Sequence, residues 1–168
     1  MKSILVYVLC LVASAALAQA PAAMPAVQDA FWESLIGKWE GWSESPMGKS
    51  NDEIEFEWEL QKQFFKTKVE VKSGDMTYKM VGYSTIDAKT GKITGHWFDS
   101  WRLVYTSTET RTGNKVTMRI DGGPGPMERT YEQIGEDKLV GTFKVTMGDG
   151  KVIEGRSELT RKVKAPKK

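Results

Sequence analysis

A chain of 168 residues holds one ordinary domain, and its 24 Lys and Arg against 22 Asp and Glu leave a formal net charge of only +2. The two signs are interspersed rather than gathered on a basic face or stripe, which argues against a nucleic-acid binder. The single cysteine, Cys10, lies in an uncharged N-terminal stretch.

That stretch begins after Met1-Lys2-Ser3 and runs from Ile4 to Ala16, and the small-x-small patterns Ala16-Leu17-Ala18 and Ala18-Gln19-Ala20 follow it. A basic start, a short apolar run and small residues at its end make a secretory signal peptide over residues 1–20. The cut is expected after Ala20, with Ala18 as second choice. The run is too short for a membrane anchor, which takes about 20 apolar residues. The processed chain is therefore expected in the periplasm or outside the cell, with no stable membrane anchor. Cys10 follows Leu9 inside the run, which does not fit lipidation. Its removal leaves no disulfide, thiolate metal site or thiol nucleophile.

Residues 21–30 are Ala/Pro-rich and read as a flexible segment, and Phe31 to Leu35 as one or two helical turns able to cap one end of the domain. After Gly37 the period changes to two. Lys38 to Glu44 is the first strand. Glu53 to Leu60 then places Ile54, Phe56, Trp58 and Leu60 against four glutamates, a sorting that a strand performs and a helix does not. Phe65, Thr67, Val69 and Val71 alternate with Lys66, Lys68, Glu70 and Lys72 in the next strand. A glutamate row beside a lysine row predicts cross-strand ion pairs on an outer face, serving register and solubility.

Alternation continues over Met76–Thr85, Lys92–Phe98, Arg102–Glu109, Lys115–Ile120, Met127–Gln133, Leu139–Met147 and Lys151–Leu159. Turn chemistry separates many of these strands, as at Ser73-Gly74-Asp75 and Gly148-Asp149-Gly150. With no helical pattern between about ten strands, the order is expected to be antiparallel and up-and-down. Closure removes the edges and encloses the apolar faces, so the fold expected over residues 31–162 is an all-β barrel, with a sandwich as the alternative. Residues 163–168 form a basic, solvated tail.

Gly37-x-Trp39 opens the first strand just after the helical turn. It resembles the opening of the lipocalins and their relatives, whose Trp plugs the closed end of the barrel under an Arg from the last strand; Arg161 is the matching residue. The chain also resembles a bacterial family of lipocalin-like domains of unknown function. That likeness rests on Leu35-x-Gly37-x-Trp39-x-Gly41, Gly95-x-Trp97-x-Asp99-Ser100 and Leu159-Thr160-Arg161-Lys162. The resemblance implies a barrel of the fatty-acid-binding-protein or lipocalin type, with Gly37, Trp39 and Arg161 as structural residues, and it implies no activity.

The inward set read from alternation also includes Met76, Val116, Ile120, Met127, Leu139, Val145 and Met147. Such a Met- and aromatic-rich lining suits an apolar or amphipathic small molecule, although a small barrel can equally be filled by its own side chains. The residues expected at the ligand are Phe56, Trp58, Tyr78, Met80, Trp97, Met118, Arg129, Tyr131 and Phe143. Arg129 shares a face with Met127 and Tyr131. It either stands at the rim in water, meets an internal glutamate or takes a ligand's acid group, and the rim is the first choice.

His96 reads as a surface histidine, with haem ligation or general-base work as alternatives. Ser100 lies roughly 13 Å along the same strand, too far for a nucleophile–base pair. Gly95 and Trp97 face inward together, leaving room for a ligand or for the plug Trp. Asp99-Ser100 makes a turn with Trp101 at the rim, or else Asp99 holds a ligand hydroxyl. The Gly- and Pro-rich run Asp121–Pro126 lacks the successive N–H donors and following helix of a phosphate cradle and reads as a loop at the barrel mouth. No cofactor and no metal site are expected, and no catalytic residue stands out. The leading expectation is an exported small-molecule binder. The alternatives are an isomerase or hydrolase with a polar cluster inside the barrel, and an interaction module with a filled barrel and an apolar outer patch near Trp42 and Trp101.

Overall fold

The structure is a computed structural model that describes residues 24–123 and 125–162. The segment expected to be a signal peptide, with Cys10, and also Pro124 and the basic tail lie outside the described residues. A short helix, α1 (Ala30–Leu35), precedes ten strands: β1 (Gly37–Ser45), β2 (Gly48–Glu59), β3 (Phe64–Ser73), β4 (Met76–Ile86), β5 (Ile93–Asp99), β6 (Val104–Thr112), β7 (Lys115–Gly122), β8 (Met127–Ile134), β9 (Lys138–Thr146) and β10 (Val152–Arg161). Each strand pairs antiparallel with its sequence neighbours, and β1 pairs with β10, so the sheet closes into an up-and-down barrel.

The charge rows set the β2–β3 register as the sequence suggests. Glu55 lies opposite Lys68 and Glu57 opposite Lys66, and Lys66 reaches Glu57 at 3.0 Å and Glu59 at 2.6 Å. One step along, Glu53 faces Glu70, a like-charge pair. Lys72 and Lys79 each bind Glu70 at 2.8 Å and offset that repulsion.

The helix floors one end. Asp29 caps it by accepting the Trp32 N–H at 2.7 Å, and Trp32 and Leu35 are buried. Trp39 beneath it donates its indole N–H to the Leu35 carbonyl at 2.8 Å. The Arg161 guanidinium lies 4.2 Å from the Trp39 ring centroid and donates to the carbonyls of Ile36, Ser34 and Glu136. At Gly37 the chain adopts φ +120°, a region closed to most side chains.

Ahead of the helix, Val27 N–H donates to the Lys62 carbonyl at 2.9 Å, and the Gln63 amide donates to the carbonyls of Met24 and Pro25. Several expectations are corrected. Leu60 and Met76 do not face the core, being 69% and 48% exposed. Leu60 falls in a left-handed turn with Gln61 and Lys62, while Met76 stands at the open end, where β4 begins. β6 starts at Val104 and runs on to Thr112, because Arg102 occupies a positive-φ turn.

Candidate functional site

The inward positions enclose a cavity of about 150 Å³. Ile54 and Phe56 of β2 and Phe65, Thr67 and Val69 of β3 form one wall. Met80 of β4 adjoins Val69 and continues that wall, Trp97, Met118, Ile120 and Met127 line the space further round the barrel, and α1 contributes Phe31, Trp32 and Leu35. Of the nine residues expected at a ligand, seven line this space: Phe56, Tyr78, Met80, Trp97, Met118, Arg129 and Tyr131. Trp58 and Phe143 do not. Trp58 packs edge-on against Trp32 and Phe65, at 5.6 and 5.4 Å, and so buttresses the helix. Phe143 lies against Gly155, where its ring occupies the space a Cβ would take.

Room for Trp97 comes from a glycine on the neighbouring strand. A Cβ on Gly82 would sit 2.5 Å from Trp97 Cζ3. Gly95 makes space for two hydroxyls, since a Cβ there would lie 2.6 Å from Ser107 Oγ and 2.7 Å from Ser84 Oγ. Gly95 thus serves neither a ligand nor the plug Trp39. Ser107 accepts the Trp97 indole N–H at 2.9 Å, which fixes the ring as part of the wall.

Arg129 occupies the inner wall, cross-strand from Met118. Its guanidinium stacks 4.7 Å from the Tyr131 ring centroid and 5.8 Å from that of Phe143. Its Nε is buried with no hydrogen-bond partner, and no carboxylate pairs with it among the described residues. Of the three placements open in the sequence, the structure gives no internal glutamate partner among the described residues; the residue is half-buried, and of its guanidinium nitrogens only Nε is both buried and unpartnered. Burial pushes the Tyr131 phenol up, with the Arg129 charge opposing.

A second polar group, not foreseen from sequence, lies on β6. Glu109 is buried, lines the cavity and accepts the Ser84 hydroxyl at 3.2 Å. Arg111, two residues on, pairs with Asp29 and stacks on Phe31 and Trp32, so it pins the helix to the barrel. Its Nη2 stands 3.9 Å from Glu109 Oε2. Burial raises the Glu109 carboxyl above its ordinary value, and the Arg111 charge and the Ser84 hydrogen bond only partly oppose it. Asp52 of β2 is buried too, satisfied by Ser43 and Ser50.

The Glu109 shift has a consequence for stability. As pH rises from about the ordinary 4.5, the unfolded chain releases this proton first and the native state keeps it, so stability falls across that window and then levels off. Glu109→Gln should remove the loss. Thermal melts should show the variant more stable than wild type at pH 8, with the difference closing towards pH 4.5. A gain of about 1 kcal/mol moves Tm by about 2–4 °C in a domain of this size. Parallel pH curves would contradict this account.

At the open end Asp99 organises the mouth. It accepts the hydroxyls of Tyr105 at 2.7 Å and Tyr78 at 3.1 Å, and the N–H groups of Leu103 and Trp101. Burial pushes its carboxyl up, but these bonds outweigh it and hold it below the ordinary range. Trp101 is 59% exposed and rests 4.8 Å from the Tyr78 ring. Trp42 is no open patch: the charged ends of Lys49 and Arg156 lie over its ring. His96 is exposed on the outer face, between Tyr83 and Thr106, and points away from the cavity.

No protein-family profile matches the sequence, nor does any curated protein. Solved structures do resemble the fold. Rv2717c from M. tuberculosis superposes with a TM-score of 0.60 at 15% identity, over 82% of this chain and 100% of that one. The S-type phycobiliprotein lyase CPES from Guillardia theta gives a TM-score of 0.59 at 12% identity, over 80% of this chain and 92% of its own. At these identities the likeness is one of fold, and it agrees with the closed ten-stranded barrel: this is a lipocalin-like architecture.

Proposed function

We propose that this protein is an exported carrier or sensor that holds one compact amphipathic molecule inside the barrel, with Arg129 taking its acid group. The observation that carries the reading is a buried guanidinium nitrogen without a hydrogen-bond partner on the wall of a mostly apolar cavity. A buried donor of a cationic group is costly to leave unpaired, and a bound carboxylate or phosphate offsets that cost with charge-assisted hydrogen bonds. Size narrows the choice. A space of about 150 Å³ lies below the roughly 300–1,000 Å³ typical of drug-sized ligands and matches a single ring, since an apolar cavity of about that volume takes up benzene. A long acyl chain or a macrocycle would need the barrel to widen. Met80, Met118 and Met127 supply adaptable contact with such a ring.

The test combines native mass spectrometry of protein purified from its own periplasm with calorimetric titration of benzoate. A co-purified small acid, or benzoate binding that weakens roughly 10–100-fold in Arg129→Met, supports the reading; that range corresponds to a charged hydrogen bond of about 1.5–3 kcal/mol. Protein that is always empty and binds no small acid overturns it.

A further inference from the structure

The cavity has two polar poles. Glu109 on β6 is cross-strand from Met118 on β7, and Met118 is cross-strand from Arg129 on β8. The two groups therefore flank one methionine, their Cα atoms about 10 Å apart by two interstrand steps. Both line the same space, and Ser84 lies against Glu109. A wholly apolar lining would make a cavity indifferent to polarity at the end away from Arg129. Instead, that end carries a carboxyl group whose Oε1 is engaged by Ser84, while its Oε2 has only the Arg111 Nη2 at 3.9 Å.

We infer that the ligand is a ring-sized hydroxy acid: Arg129 binds its carboxylate, and the Glu109 carboxyl, braced by Ser84, hydrogen-bonds a hydroxyl at the ligand's other end. This deepens the interior-binding reading and rests on it. The chemistry favours an uncharged partner for Glu109, because burial raises this carboxyl and a neutral acid both donates and accepts hydrogen bonds. A ligand lacking the hydroxyl leaves these buried polar groups unanswered, which is how such sites discriminate between molecules of nearly equal shape.

The experiment compares 3- and 4-hydroxybenzoate with 3- and 4-methylbenzoate, pairs of the same shape in which an apolar pocket prefers the methyl. Wild type should bind one of the hydroxy acids about tenfold more tightly than its methyl counterpart. In Glu109→Leu the preference should invert, while Arg129→Met should weaken both members of the pair and keep their ratio. The wild-type comparison needs no variant, so it stands even if Glu109→Leu fails to fold. A methyl preference in wild type, or a hydroxyl preference that survives in a folded Glu109→Leu, overturns the assignment of Glu109 and leaves binding at Arg129 intact. If wild type binds none of the four acids, this inference fails; if the purified protein is also always empty, the interior reading fails with it.

Discussion

Gly41→Ala is expected to destabilise the barrel by more than the ordinary overpacking cost of about 1–3 kcal/mol. Gly41 lies in β1 opposite Leu159 of β10, at the seam that closes the sheet. A Cβ there would stand 2.8 Å from Leu159 Cα and closer still to the Glu158 carbonyl oxygen. Both obstacles are backbone, so no side chain can rotate away; relief requires β1 and β10 to separate. Separation would break the hydrogen bonds that the pairs from Trp39↔Arg161 to Glu44↔Arg156 make across the seam, exposing two edges in a domain built to have none. Against a total stability of about 5–15 kcal/mol for a domain, the substitution should leave the chain partly unfolded or aggregated. Urea unfolding followed by circular dichroism measures this. Gly74→Ala is the control: nothing lies within 4 Å of its Cβ, and its φ of +56° limits the loss to about 1–2 kcal/mol. Equal losses in the two variants would show that seam crowding is not what Gly41 relieves.

The dyad pattern made the barrel legible because nearly every strand sorts one oily face from one ionic face, as Ile54, Phe56 and Trp58 do against their glutamates. The same signal is why β6 was misread. Its inward residues are Tyr105, Ser107, Glu109 and Arg111, and its outward ones Thr106, Thr108 and Thr110. With polar residues on both faces there is no hydrophobic contrast, and the strand seemed to begin and end early. The clue present in the sequence was a strand-length segment without an apolar face inside a chain that otherwise supplies one. Glu109 and Arg111 went unnoticed for that reason, and with them the second pole of the cavity and the pin that holds α1. Trp58 and Phe143 share the parity of lining residues, but parity gives a face and not a depth. Trp58 sits at the helix end, under Trp32, and Phe143 is turned over Gly155. Arg129 was readable as inward; that nothing pairs with it depends on which strands stand opposite, and this is a property of the closed barrel alone.

Trp39→Ala is the other substitution expected to cost heavily, about 3–5 kcal/mol as for other buried aromatics cut to alanine. Trp39 is among the largest fully buried side chains, at 1% exposure, and joins three parts of the closed end. Its ring packs in the core with Leu35, Ile54 and Leu159, its indole N–H ties β1 to α1, and its face carries Arg161. The guanidinium in turn satisfies carbonyls at the end of α1 and in the β8–β9 turn. The Arg161–Trp39 contact should therefore appear as coupling rather than as a sum. In a double-mutant cycle with Arg161→Leu, the two losses should fall short of additivity by about 0.5–2 kcal/mol, the scale of a stacked cation on an aromatic face. Trp39→Phe separates packing from hydrogen bonding, because it keeps most of the ring but leaves the Leu35 carbonyl without its donor, a loss of about 1–3 kcal/mol for a buried group. Because α1 also contributes Phe31, Trp32 and Leu35 to the cavity, the same variants should weaken any interior ligand even where the barrel still closes. Strict additivity of Trp39 and Arg161 would mean that the plug and its clamp act on the floor independently, and that the guanidinium is held by the carbonyls alone.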